Sequence, residues 1–524
     1  MLASYHHLDN ASSADHNNKN LPYKFFKEQD MKNIPEVKLG IIAVSRDCFP
    51  MTLSENRRKA VAAACEKKGI PVFEAKTVVE NEKDALKAVD EAVKAGCNAL
   101  VVFLGNFGPE TPETLIAKWF WGPVMYAAAA EDKNLMNGRG DAYCGMLNCS
   151  YNLGLRKIRA VIPEYPVGEP KEIAAMIADF IPVARALIGV AGLKLITFGP
   201  RPQDFFACNA PIKGLYDIGV EIEENSELDM LVSYKQHKDD KRIDAVAKDM
   251  AKELGHGNQY PDILPRLAQF EITLLDWAEA HKGSRQYVAF ANKCWPAFCS
   301  EFGFVPCYVN SRLASRGIPV GCEVDIYGAL SEYIGACISN DAVTLLDINN
   351  TVPSGLYASA IKPKYKKYSP TYVSMGFHCG NTPICKLKKE KNTGLKYQLI
   401  MNRGLEGGKK PDVTRGTMEG DIAPGDITFF RLHGGPDGTL QAYIAQGEVL
   451  PIPTGSFGGI GVFAIPEMAR FYRHVLIAKH YPHHGGVAFG KHGKALYTVF
   501  DYLGVGDIAY NQPKGVLYKT ENPF

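Results

Sequence analysis

At 524 residues, with 46% hydrophobic and 22% charged side chains, the chain has a globular composition and is too long for a single core; at about 100–200 residues per domain, roughly three domains are expected. Lys and Arg number 59 against 57 Asp and Glu, and no basic run carries interleaved aromatics, so neither nucleic acid nor an anionic membrane is called for as a partner. Thirteen scattered cysteines, an odd number, argue against a disulfide framework and for a reducing, cytoplasmic setting.

The polar opening, residues 1–37, reads as a disordered tail. No apolar run in the chain reads as reaching the roughly 18–20 residues that span a bilayer. From Lys38 to residue 169 strands and helices alternate: KLGIIAVSR, a helix in SENRRKAVAAACEKKG, PVFEAK, a helix in EKDALKAVDEAVKAG, then ALVVFLG. That alternation signals a doubly wound parallel sheet. The loops SRDCFP and GNFGPE follow predicted strands and form a ligand-facing rim, offering Arg46 and Asn106, and Trp119 in AKWFWGP offers a face on which a sugar could stack.

A second α/β domain is expected over 170–352. Its helix EIAAMIADFIPVARALIG and strand KLITFG lead into GPRPQDFFACNAP, where Arg201 and Gln203 stand with Asp204 and Asn209 in the kind of polar cluster that holds a polyol. Two more helices and the strand QYVAFANKC precede CWPAFCSEFGF, whose Trp295 joins the candidate substrate contacts; its cysteines match no structural zinc spacing. The stretch GCEVDIYGALSEYIGACISNDAVTLLDINN closes the domain. Ile326, Leu330, Ile334 and Cys337 recur at helical spacing, which places Glu323 in the first helical turn, turns Asp325 to another face and leaves Glu332 as a solvated helix residue. AVTLLDI then reads as a buried strand with Asp347 at its carboxyl end, the edge at which open parallel sheets bind ligands.

Residues 353–524 change in texture. YVSMGFHC, KYQLIMNR, DITFFRLHG and LQAYIAQGEVL are strand-like runs separated by Gly/Pro/Asp turns, so a mainly antiparallel β domain is expected. The fold class is therefore two doubly wound, Rossmann-like α/β domains followed by a mainly antiparallel β C-terminal domain.

Two carboxylates aimed at one crevice repel unless a proton or cation lies between them. A third donor favours a metal, and YPHHGGVAFGKHG supplies His483 or His484 ahead of a glycine pair that permits close approach. Carboxylate, carboxylate and imidazole suit Mn²⁺, Mg²⁺ or Fe²⁺.

GCEVDIYGAL, LLDINN, FHCGN at 377–381 and PHHGG at 482–486, in this order and spacing, resemble the L-fucose isomerase family and its L-arabinose isomerase relatives, over a span from about Lys38 to about Gly504. The resemblance implies an aldose–ketose isomerase for a free sugar of L-fucose/D-arabinose or L-arabinose type, working through an enediol with Mn²⁺ or alternatively Mg²⁺, Fe²⁺ or Co²⁺. It selects His484, the residue immediately before the glycines, as the third metal ligand beside Glu323 and Asp347. By the same resemblance, both carboxylates double as proton-transfer groups, and His378 either touches the substrate or supports a residue that does. A hexamer, with each site completed by a neighbour's first domain, is also implied. Ile348 stands where the family leads one to expect tryptophan, which puts the sugar in question more than the reaction. A C6-modified sugar, a metal-dependent aldolase or epimerase, and a non-catalytic sugar binder are the alternatives.

Overall fold

The computed structural model describes residues 31, 33–133, 139–402 and 412–524. Most of the expected tail lies outside them, but the part nearest the first strand is docked: the Asn33 side chain donates to the carbonyls of Val288 and Gly317, both at 2.7 Å, and Ile34 is buried.

The first sheet consists of β1 (Leu39–Val44), β2 (Val72–Glu74), β3 (Ala99–Leu104), β4 (Val124–Ala129) and β5 (Val167–Gly168), all parallel in the order β2-β1-β3-β4-β5. Every residue of β1, β3 and β4 is buried, as their unbroken apolar runs require of strands covered on both faces. Asn81 starts the helix Glu82–Lys94 by accepting from the backbone N–H groups of Lys83 and Asp84 at 3.0 and 3.1 Å. Asn81→Ala is expected to cost about 1 kcal/mol, read as a lower urea midpoint at unchanged slope; an unmoved midpoint would remove the cap from the account.

A second parallel sheet holds β6 (Leu193–Phe198), β7 (Glu221–Asn225), β8 (Tyr287–Ala291) and β9 (Val320–Gly321) in the order β7-β6-β8-β9. The helix Pro170–Ala191 that precedes it departs from expectation. By length and composition it could cross a membrane, with 56% of its apolar window buried inside the molecule. It packs along Met51–Glu66, Ile326–Ser339 and Gly493–Leu503.

The third sheet is mixed and mostly antiparallel: β10 (Val343–Thr351), β11 (Val373–His378), β12 (Gly394–Tyr397), β13 (Arg415–Asp421), β14 (Gly425–Gly434), β15 (Leu440–Leu450), β16 (Gly459–Ala464), β17 (His484–Phe489) and β18 (Asp507–Tyr510), ordered β12-β13-β16-β11-β10-β17-β14-β15-β18. Here the strand of Asp347 departs from its reading. It does not end a parallel strand of the second sheet; β10 runs on to Thr351 and lies antiparallel between β11 and β17. A short apolar run after a helix looks the same in either setting, and only its partners decide.

The helix Ile326–Ser339 lies between Pro170–Ala191 and the third sheet, against β10, β14 and β17, and all its residues from Ile326 to Ile338 are buried. Glu332 is consequently not solvated: it is 2% exposed, one carboxylate oxygen lacks a partner, and burial pushes its carboxyl well up. The apolar stripe identified one buried face, and the sheet covers the other.

Candidate active site

Asp347 and His484 are directly opposite each other on β10 and β17. Facing residues of an antiparallel pair hold their side chains side by side, and Asp347 Oδ1 lies 3.2 Å from His484 Nε2. A Cβ at Gly485 would collide with the Phe429 ring, so the glycine after the imidazole is what lets β17 lie close to its neighbour.

Glu323 comes from another element. It is not in the first turn of the helix, which begins at Ile326, but in a tight turn before it, with φ 51° at Glu323 and 59° at Val324. Left-handed backbone at two consecutive non-glycine residues, one of them β-branched, costs on the order of 1–3 kcal/mol each and is typical of functional positions. The turn brings Glu323 Oε2 to 3.2 Å from the same His484 Nε2.

Asp325 does not turn away from the site. It caps the helix by accepting from Gly328 N–H at 2.9 Å, receives two hydrogen bonds from the Arg431 guanidinium at 2.7 and 2.8 Å, and takes the His484 Nδ1 proton at 2.8 Å. The helix starts later than its stripe suggested, which moves Asp325 from the helix face to the cap. Asp325, Arg431 and His484 are all essentially inaccessible to solvent. A carboxylate on Nδ1 fixes the orientation of the ring and leaves Nε2 facing Glu323 and Asp347.

Burial pushes the carboxyls of Glu323 and Asp347 up, but the adjacent His484 outweighs it and holds both below the usual range. Burial disfavours the His484 cation, yet hydrogen bonds to Asp325, Asp347, Cys208 and Glu323 lift it well above the ordinary imidazole value. Two ionised carboxylates around one imidazole nitrogen form a centre that attracts a cation. Glu323, Asp347 and His484, with Nε2 deprotonated, are the residues that could hold a divalent ion there, with Asp325 behind the imidazole. His483 is the adjacent donor, 3.8 Å from Asp347 Oδ1; Asp347, His483 and His484 lie close enough to share an ion.

The other expected contacts divide into two groups. His378, buried at the end of β11, accepts at Nδ1 from Asn381 N–H at 3.3 Å, so Nε2 carries the proton; burial lowers its pKa against the pull of Asp347 and Glu323. Trp295 packs on the buried cluster of Cys294, Cys299, Val305 and Cys307. Burial, with Glu323 nearby, raises the thiols of Cys294 and Cys307. The loop with Arg201 and Gln203 reaches the site at its far end, where Cys208 Sγ is 3.8 Å from His484 Nδ1; Gln203 is exposed, with φ 39°.

The first domain's candidates stand apart. Asn106 is fully buried and braces its own rim, accepting from Arg46 N–H at 3.0 Å and donating to Ser45 Oγ at 2.9 Å, so it is an internal brace and not a ligand-facing group. Arg46 lies over the Phe107 ring with Glu110 3.9 Å away, and Trp119 packs against the first core. None of the three has a hydrogen bond or ion pair to the His484 cluster among the described residues. The functional residues missed from sequence are Asp325, Arg431 and Cys208. The buried arginine in FFRLHG, an apolar strand, was the one available signal that an acid had to meet it.

Comparison with known proteins identifies two family domains. Residues 40–191 match the fucose/sulfoquinovose isomerase N-terminal domain, and residues 376–509 match the L-fucose isomerase C-terminal domain. The chain belongs to the L-fucose isomerase family. Among curated relatives, the sulfoquinovose isomerase of Clostridium sp. (strain MSTE9) is 28% identical over 322 residues, 58% of this chain and 62% of that protein. Those of Alkalicoccus urumqiensis and Priestia aryabhattai are 24% and 23% identical over 55% and 52% of this chain, and over 58% and 54% of their own lengths. The match thus spans less than two thirds of each relative. Glu323 and Asp347 fall between the two matched domains, so their place in the site rests on geometry.

Proposed function

We propose that this L-fucose isomerase family member is a metal-dependent aldose–ketose isomerase acting on a sugar with an anionic group at C6, as in sulfoquinovose. The observation that carries the reaction is the meeting of Glu323, Asp347 and the Asp325-oriented His484 at one point. The sugar is supported by the relatives, whose names are those of sulfoquinovose isomerases. They favour a C6-modified substrate over the L-fucose, D-arabinose or L-arabinose type expected first.

A bound divalent ion such as Mn²⁺ would polarise the sugar carbonyl and stabilise negative charge developing on O1 and O2. The chain's residues supply the rest. One of the Glu323/Asp347 pair, ionised at the start, takes the C2 proton as base and, now the acid, returns a proton to C1, while the O2 hydroxyl proton passes to O1. His378 presents a neutral Nε2–H donor, suited to a sugar hydroxyl or oxyanion. Because the Arg46 rim makes no hydrogen bond or ion pair to the cluster among the described residues, a second copy's first domain completing the site remains part of this reading, as does a reducing compartment, supported by thirteen thiols.

The test is ketose formation by chelator-stripped protein, with and without Mn²⁺, from sulfoquinovose, 6-deoxyglucose, L-fucose and the two arabinoses, run in D₂O. Mn²⁺-dependent conversion of the sulfonated sugar, with deuterium at C1 of the product, is expected. Product without deuterium would replace proton transfer by a hydride shift. Conversion of L-fucose alone would overturn the substrate, and cleavage or epimerisation would overturn the reaction.

A further inference from the structure

The loop after β6 lies along the site from end to end. At its start, a Cβ on Gly199 would come within 2.6 Å of Val324, the residue after Glu323. Further on, the Phe205 ring meets the His483 ring edge-on at 5.4 Å, and Cys208 lies against His484. Arg201 lies between these anchor points. Its guanidinium sits over the Phe206 ring, 4.7 Å from the centroid, and its Nε is buried with no acceptor among the described residues.

A half-buried arginine without an acid is out of place beside a cluster so rich in carboxylates. Among the described residues, Arg431 at the cluster holds Asp325, and the buried Lys293 holds Glu227 at 2.9 Å. On the first domain's rim, Arg57 pairs with Glu131 and Asp132, and Arg46 has Glu110. Arg201 has no ion pair of this kind among the described residues. A planar guanidinium stacked on a ring, with N–H donors free, is the group that binds an XO₃ oxyanion through paired hydrogen bonds. Phe206 also lines an open cavity of about 350 Å³ with Asn209, His433, Tyr481 and Pro482, so the ring under the guanidinium faces space.

We propose that Arg201 is the specificity residue that receives the oxyanion at C6, a sulfonate in the substrate class proposed above, on which this inference rests. In this reading the proton-transfer groups near His484 meet C1 and C2, and Arg201, seven positions before Cys208 on the same loop, meets the other end of the sugar. Arg201 then acts on substrate choice and takes no part in the proton transfer.

The experiment compares kcat/KM of wild type, Arg201→Gln and Arg201→Lys, all Mn²⁺-loaded, for the 6-sulfo, 6-phospho and 6-deoxy forms of one aldohexose. Arg201→Gln is expected to lower the ratio of anionic to 6-deoxy sugar by about 30-fold, mostly through KM, as loss of a charge-assisted contact does, and Arg201→Lys to recover part of it. The anionic sugar showing the larger loss names the anion. Equal losses on all three sugars, or none, would overturn the anchor. If wild type isomerises none of them, the proposed reaction fails, and the anchor is judged from dissociation constants of the same sugars by calorimetry. Tighter binding of the anionic form that vanishes in Arg201→Gln upholds the anchor; equal binding of charged and uncharged forms in wild type rejects it.

Discussion

Glu323→Gln is expected to lower turnover by on the order of 10³-fold, the range for removing a positioned general acid or base, while the protein unfolds at nearly the wild-type temperature. Glutamine keeps the shape of the side chain and one oxygen able to face an ion, but it can neither take nor return a proton. Glu323 lies 3.2 Å from His484 Nε2 and is ionised because that imidazole outweighs the cost of burial. Loss of a ligand and loss of a base are separated by titrating Mn²⁺ into the variant and measuring rates at saturation. A defect that disappears with excess metal would leave Glu323 a ligand only. A near-normal rate at ordinary metal concentration would remove it from the site altogether.

Asp325→Asn is expected to act on folding and on metal binding together. Arg431 is fully buried, and Asp325 is the acid that receives two of its hydrogen bonds. Removing one member of a buried ion pair strands the other charge, and a loss of about 3–5 kcal/mol is expected. The same change weakens the acceptor of the His484 Nδ1 proton, for which metal affinity falls about 10–100-fold. Urea unfolding measures the first effect, and Mn²⁺ titration of the folded variant the second. Replacing the pair together, Asp325→Leu with Arg431→Met, separates them: stability is expected to recover substantially while metal affinity stays low. A single variant as stable as wild type would mean that water or another group satisfies Arg431.

The layout of the α/β units and much of the site's inventory were legible before folding. Alternating apolar runs and striped helices in 38–169 specify a parallel sheet because hydrophobic periodicity acts over a few residues, within reach of the sequence itself. The acids of GCEVD and LLDINN and the histidines of PHHGG stood out as a donor set for the same local reason. What they meet is a matter of partners far along the chain. Asp347 faces His484 because β10 pairs with β17, and no local pattern distinguishes that from a parallel strand. Glu332 is dry because a sheet covers the helix face away from its stripe. Asp325 looked like a bystander until the fold brought Arg431 to it across 106 positions, and only then could it orient the imidazole between the two carboxylates. Residue type and short-range pattern establish which elements form and which groups can do chemistry; strand pairing and burial decide which of those groups face one another, because both depend on segments that meet only when the chain closes.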